Sequence, residues 1–235
     1  MKKLLIPAAI ALSFLGLTSV SVKAATLSAT NFERLNLGAK IVGPLGPNVN
    51  ADLIDKSGND IGDLSSSVAC PAGFASCLPP TNKAGTIYTY VHEVIAGVNL
   101  PEKEAGTNNS VGFRLNFAAL GFNGIAGYDF SEAASALGTD NEPILRKSSS
   151  DSLVWRIPDL SEWTKGEKIT FFWQTTQAPV GPTGSYGLLS NDSSARAFGP
   201  RPSALASADV PEPGAIAPLA LLSVGLLVKR RTSKA

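Results

Sequence analysis

The stretch "VGFRLNF" alternates without a break. Val111, Phe113, Leu115 and Phe117 fall on one side of an extended chain, and Gly112, Arg114 and Asn116 on the other, which is the period of a strand with one face buried. A helix would scatter the same apolar side chains around its axis. "SLVWRIP" and "KITFFWQTT" are rich in β-branched and aromatic residues, and "TIYTYVHEVIAGV" is a long β-prone run with a bend expected near Gly97. Between these runs lie "DKSGND", "KEAGTNN", "TKGEK" and "APVGPTG", which carry turn chemistry. Short strands with this punctuation predict a mainly β fold, an antiparallel β-sandwich of jelly-roll type over residues 25–200. One helix of at most two turns is expected at "SEAASALG", capped by Ser131 and ended by Gly138. No tandem repeat is visible, which argues against a propeller or solenoid.

The two ends follow different rules. "MKKLLIPAAIALSFLGLTSVSVKA" has the cations Lys2 and Lys3, an apolar stretch from Leu4 to Leu17, and small side chains at Val22 and Ala24. These are the parts of a secretory signal, so residues 1–24 are read as a signal peptide, an N-terminal helix cut after Ala24. The alternative, a retained anchor, is disfavoured because the apolar part is shorter than the roughly 20 residues of a spanning helix. At the far end, residues 214–228 are uncharged and apolar, and Lys229, Arg230 and Arg231 follow at once. A helix of that length reaches roughly 22 Å against a hydrocarbon core of about 30 Å. Long cationic side chains close part of the gap by reaching to the headgroups. The segment is read as a single transmembrane helix with the basic tail 229–235 in the cytoplasm and the body outside. A buried helix of a soluble core, the alternative, would carry a polar face.

Residues 201–213, ending in Val210, Pro211, Glu212 and Pro213, form a linker too small and polar to build a core. The two prolines fix their own φ and bias Val210 and Glu212 away from the helical region, which presents extended backbone of the kind a protease cleft grips. The order Val210-Pro211-Glu212-Pro213, apolar span, Lys229-Arg230-Arg231 resembles the PEP-CTERM sorting signal of bacterial surface proteins. The resemblance covers residues 210–235 alone; Pro218, early in the span, is a minor departure that a first helical turn tolerates. It implies cutting by an exosortase, an integral-membrane transpeptidase-like protease with a cysteine nucleophile, in Gram-negative bacteria that make extracellular polysaccharide. A tail that anchors without being cut is the simpler alternative.

Of the 20 Lys and Arg and 19 Asp and Glu, the signal holds three cations, the tail four, and Glu212 is the one acid outside the body. The body therefore carries 13 cations against 18 acids, a formal charge near −5, and lacks the electrostatic footprint of a nucleic-acid binder. Cys70 and Cys77 bracket the turn-rich "PAGFAS". In an exported chain they are expected to form a disulfide, contributing roughly 2 to 3 kcal/mol by loop closure. Two cysteines and the single His92 fall short of a closed zinc site, and no metal or other cofactor is expected.

Candidate chemistry is sparse. His92 is the one histidine, it sits in a β-prone run, and no Gly-x-Ser-x-Gly elbow nominates a serine nucleophile. A glycosidase pair would have to be drawn arbitrarily from eighteen acids, Glu93 with Glu132 for example. "DLIDKSGNDIGD" gathers Asp52, Asp55, Asn59, Asp60 and Asp63, with Asp55, Asn59 and Asp60 a weak calcium candidate, but Asp60 stands where an EF-hand needs glycine and Ser66 where it needs a bidentate Glu. A hairpin turn around Ser57 and Gly58 is the competing expectation. By strand parity Trp155 and Trp173 belong to the core, whereas Trp163 lies in the polar "DLSEWTKGE" and is the candidate for contact with a glycan.

The expected function is non-enzymatic: an exported cell-envelope or extracellular-matrix protein, handled in turn by signal peptidase, the inner membrane and an exosortase, ending at the cell surface or outside. The alternatives are a carbohydrate-binding module for exopolysaccharide and a secreted hydrolase.

Overall fold

A computed structural model describes residues 24–41, 49–97, 110–158, 163, 166–190 and 194–204. The signal segment before Ala24, the Pro-Glu-Pro motif, the 214–228 span and the basic tail lie outside the described residues. Among the described residues no helix is long and apolar enough to cross a membrane.

The described chain is mainly β. Its strands are β1 Ala25–Thr26, β2 Thr30–Asn31, β3 Leu37–Ile41, β4 Val49–Asp55, β5 Asp60–Pro71, β6 Tyr88–Ala96, β7 Ser110–Leu115, β8 Phe122–Tyr128, β9 Ile144–Lys147, β10 Leu153–Arg156, β11 Lys168–Thr175, β12 Pro179–Ser190 and β13 Ser194–Pro202. A single 3-10 turn covers Phe32–Arg34, and one helix, α1, spans Phe130–Leu137. The β-prone runs become β7, β10 and β11, and β6 ends where Gly97 takes φ 68°.

The strands form one continuous ladder in the order β1-β9-β10-β7-β12-β13-β4-β5-β6-β11-β8-β2, with β3 beside β5. Every pairing is antiparallel except β2 with β8. Instead of two separate sheets, a single sheet curls until its own inner face is covered. Its closure is written in the first strands: β1 lies on β9 at one edge and β2 on β8 at the other. Only residues 27–29 separate β1 from β2, so the two edges come within the roughly 14 Å that four extended residues reach.

Curling packs the inward side chains of β7, β10 and β12 onto those of β6 and β11. Phe113 stacks on Phe171 at 5.1 Å, Trp155 meets Phe171 at 5.6 Å, and His92 meets Tyr186 at 4.3 Å between ring centroids. Each aromatic buried this way contributes roughly 1.5–3 kcal/mol by removal from water. The outward side of β11 is covered too: Phe32 of the 3-10 turn lies 5.8 Å from Phe172. That cover explains why β11 reads as a continuous apolar run rather than an alternating one.

Three local expectations are corrected. The cap of α1 is Asp129, whose Oδ1 accepts from the backbone N–H of Ser131 and of Glu132 at 3.0 Å each, so Ser131 is already inside the helix. "APVGPTG" is not a free turn but the start of β12, where the ladder is irregular between Val180 and Gly184 and so accommodates Pro182. The last strand continues to Pro202, past the expected start of the linker at residue 201.

Candidate functional site

His92 is fully buried on β6, directly opposite Ser66 of β5. Its Nδ1 lies 2.9 Å from Ser66 Oγ, and its Nε2 accepts the indole N–H of Trp173 at 3.2 Å. A neutral imidazole that accepts at Nε2 carries its proton on Nδ1, so the ring donates to Ser66 Oγ. This is the reverse of the polarity needed to take a proton from a serine nucleophile. Burial holds the ring neutral, with its pKa pushed down to about 3. Nothing local to His92 pointed to this partner, because Ser66 is 26 residues away and meets it through strand register alone.

At the β4–β5 hairpin, Asp55 Oδ1 accepts the backbone N–H of Ser57 at 2.8 Å and of Asn59 at 2.9 Å, and Oδ2 accepts the Asn59 amide at 3.2 Å. Those bonds, the Asn59 N–H foremost, hold the Asp55 carboxyl below its usual range. Gly58 takes φ 86°, which the turn requires. The weak calcium grouping of Asp55, Asn59 and Asp60 is therefore a hairpin turn with its carboxylate already occupied by N–H donors. Asp60 belongs to a different set: carboxylate oxygens of Asp52, Asp60 and Asp63 lie within 4.8 Å of one another. Asp52 and Asp63 are direct cross-strand partners. Burial, with the charges of Asp60 and Asp52 added, raises the Asp63 pKa. Among the described residues this is the grouping with the geometry to share a cation.

Trp163 is 1 % exposed, its indole N–H donates to the Glu167 carbonyl at 3.0 Å, and its ring meets Phe171 edge-on at 5.8 Å. Neither ring face is open to a sugar, which corrects the expected glycan contact. The polar residues around it hid a side chain that reaches into the aromatic core. Trp155 and Trp173 are fully buried, as parity predicts. Cys70 and Cys77 form the expected disulfide with 5.8 Å between Cα atoms, and Tyr88 Oη donates to the Cys77 carbonyl at 2.7 Å. Glu132 is structural: Oε2 accepts the Thr170 backbone N–H at 2.7 Å and Oε1 pairs with Lys168 Nζ at 2.7 Å, docking α1 on β11.

An open concavity of about 570 Å³ lies on the outward face of β7, β10, β12 and β13. Its lining includes Arg114, Arg196, Asn116, Phe117 and four serines, and no acid. Arg114 and Asn116 stood on the polar side of "VGFRLNF" in the sequence, but Arg196 was not visible as a strand residue, because its inward neighbours Ala195 and Ala197 are too small to mark an apolar face. No family model matches the chain, and no curated protein or solved structure matches it.

Proposed function

We propose that this chain is an exported cell-envelope or extracellular-matrix protein with a non-enzymatic role beside extracellular polysaccharide. It enters by its signal peptide, is held by residues 214–228 with Lys229, Arg230 and Arg231 inside, and is cut near Val210 to Pro213 by an exosortase. The observation that carries the reading is the three-part C-terminal order behind an N-terminal signal. The Cys70–Cys77 disulfide supports it, since such bonds persist in oxidising compartments. The curled sheet is read more finely as a jelly-roll-like sandwich, on the strength of the facing contacts between Phe113 and Phe171.

The burial and tautomer of His92 favour a non-enzymatic role over a serine hydrolase. A second reading, a carbohydrate-binding module, draws support from the arginine-lined concavity rather than from Trp163. Intact-mass analysis of the protein from its native host tests the main reading. Mature termini after Ala24 and near Glu212, with the disulfide mass intact, are expected; a cytosolic species with both original ends overturns it.

A further inference from the structure

The geometry points to a binding site for a carboxylate-bearing glycan on the outward face of β7, β10, β12 and β13, with Arg114 and Arg196 as its anion ligands and Phe198 as the flat surface for a sugar ring. This deepens the surface-protein reading and rests on it for the source of the ligand.

The site is built by register. Arg146 pairs with Val154, Val154 with Arg114, Arg114 with Gly187, and Gly187 with Arg196, so one row of outward positions crosses five strands and carries three arginines. Glycine stands between Arg114 and Arg196, where any side chain would partition the groove. A Cβ at Gly187 would sit 3.2 Å from both Cγ and Nε of Arg114 and 3.1 Å from Nδ2 of Asn116. The Arg114 side chain therefore lies along the floor of the groove, over the glycine.

The adjacent row supplies the rest. Asn116 Nδ2 donates to Ser185 Oγ at 3.1 Å, and Ser185 is the cross-strand partner of Phe198. Phe198 is 58 % exposed, the most exposed large apolar side chain described, and it follows Arg196 by two residues on the same face. A large aromatic left open to water beside a polar groove is the informative kind of exposure.

Charge decides the sign of the ligand. The body as a whole carries an excess of acid, yet this groove holds two guanidinium groups and no carboxylate. The ion pairs among the described residues, Lys147 with Asp151 and Lys168 with Glu132, engage neither arginine. Arg114 Nε is shielded from water and finds no acceptor among the described residues, so no described carboxylate holds this nitrogen. Guanidinium forks match the two oxygens of a carboxylate. Ser148, Ser150, Ser152 and Ser185 add hydroxyls that suit a polyhydroxylated ligand and that a bare phosphate would leave unused.

The test uses full-length protein in detergent, with alginate as the uronate polymer, dextran as a neutral polymer and polyphosphate as an anion without sugar. Tight binding of alginate with weak binding of the other two is expected. Arg114→Gln with Arg196→Gln should weaken alginate binding by about tenfold or more, and Arg196→Lys by less, because charge remains while the fork is lost. Phe198→Ala should weaken it at high salt as well as low, since stacking is not screened. Unchanged near-UV circular dichroism verifies the fold of each variant; both Arg196 and Phe198 are exposed. Dextran binding equal to alginate, polyphosphate binding equal to alginate, or full affinity in the double arginine variant each overturns the proposal. Mature termini and alginate binding are also read together on protein purified from the native host. Processed protein that ignores alginate defeats the site and leaves the surface reading standing, whereas unprocessed cytosolic protein defeats the surface reading whatever it binds.

Discussion

The indole N–H of Trp155 donates to the carbonyl oxygen of Gly127 at 2.9 Å, and that bond joins β10 to β8, strands near opposite ends of the ladder. Gly127 also faces β2, its register partner being Thr30, and a Cβ at residue 127 would overlap the Thr30 carbonyl. One glycine thus receives both closures of the curl. Gly127→Ala is expected to lower stability by about 3 kcal/mol or more, because backbone rather than a flexible side chain blocks the added methyl. Urea unfolding checks this, and Ala126→Gly on the neighbouring residue should cost much less.

His92 predicts an acid limb. Its folded pKa is about 3, below the ordinary 6.5, so the unfolded chain binds a proton that the native state refuses between those values. The stabilisation is complete above about pH 6.5 and is lost as pH falls toward 3, by an amount of the order of 4 kcal/mol. Urea midpoints measured at pH 7, 5.5 and 4 should fall more steeply in the wild type than in His92→Gln. Parallel slopes would show that the ring does not carry the effect.

Asp63 acts with the opposite sign. Burial and the neighbouring acids raise its folded pKa, so its charged form is disfavoured by folding and stability falls as pH rises through the carboxylate range. Asp63→Asn is expected to stabilise the protein at pH 7 by about 0.5–1 kcal/mol, the scale of a like-charge cross-strand pair. The gain should vanish below pH 3, where the carboxyl is neutral in both states. Thermal unfolding at the two pH values is the measurement.

Trp163→Ala should cost about 3–5 kcal/mol, as deletion of a large buried aromatic does. Trp163→Phe should cost less but still measurably, since the hydrogen bond to the Glu167 carbonyl is lost. Unchanged stability in the alanine variant would contradict the burial. Loss of glycan binding in that variant with the fold intact would restore the tryptophan as a contact.

Tyr90 is stacked on Trp173 at 4.7 Å, yet its hydroxyl is buried without a partner among the described residues. Tyr90→Phe keeps the ring and removes the orphan group. It should leave stability unchanged or raise it by about 1 kcal/mol. A drop of that size in denaturant unfolding would mean the hydroxyl is satisfied.

Strand β7 was legible because Phe113 and Leu115 are large and their neighbours polar. Strand β13 was not, because "SARAFGPRP" buries alanine and glycine and presents arginine and phenylalanine, so its apolar face is the quieter one. The hairpin at Asp55 could be read from local turn chemistry, whereas the contacts of Ser66 with His92 and of Trp163 with Phe171 depend on register and on the curl. Local rules reach a few residues along the chain. The arginine row needs five strands to be laid side by side before it exists.

Strand β13, the last before the residues beyond 204, lies in the interior of the ladder with β12 on one side and β4 on the other. A pull on the chain that follows therefore enters the sheet at a strand joined to β12 by eight registered pairs. A load carried by residues beyond 204 would thus first meet a strand held by neighbours on both of its edges.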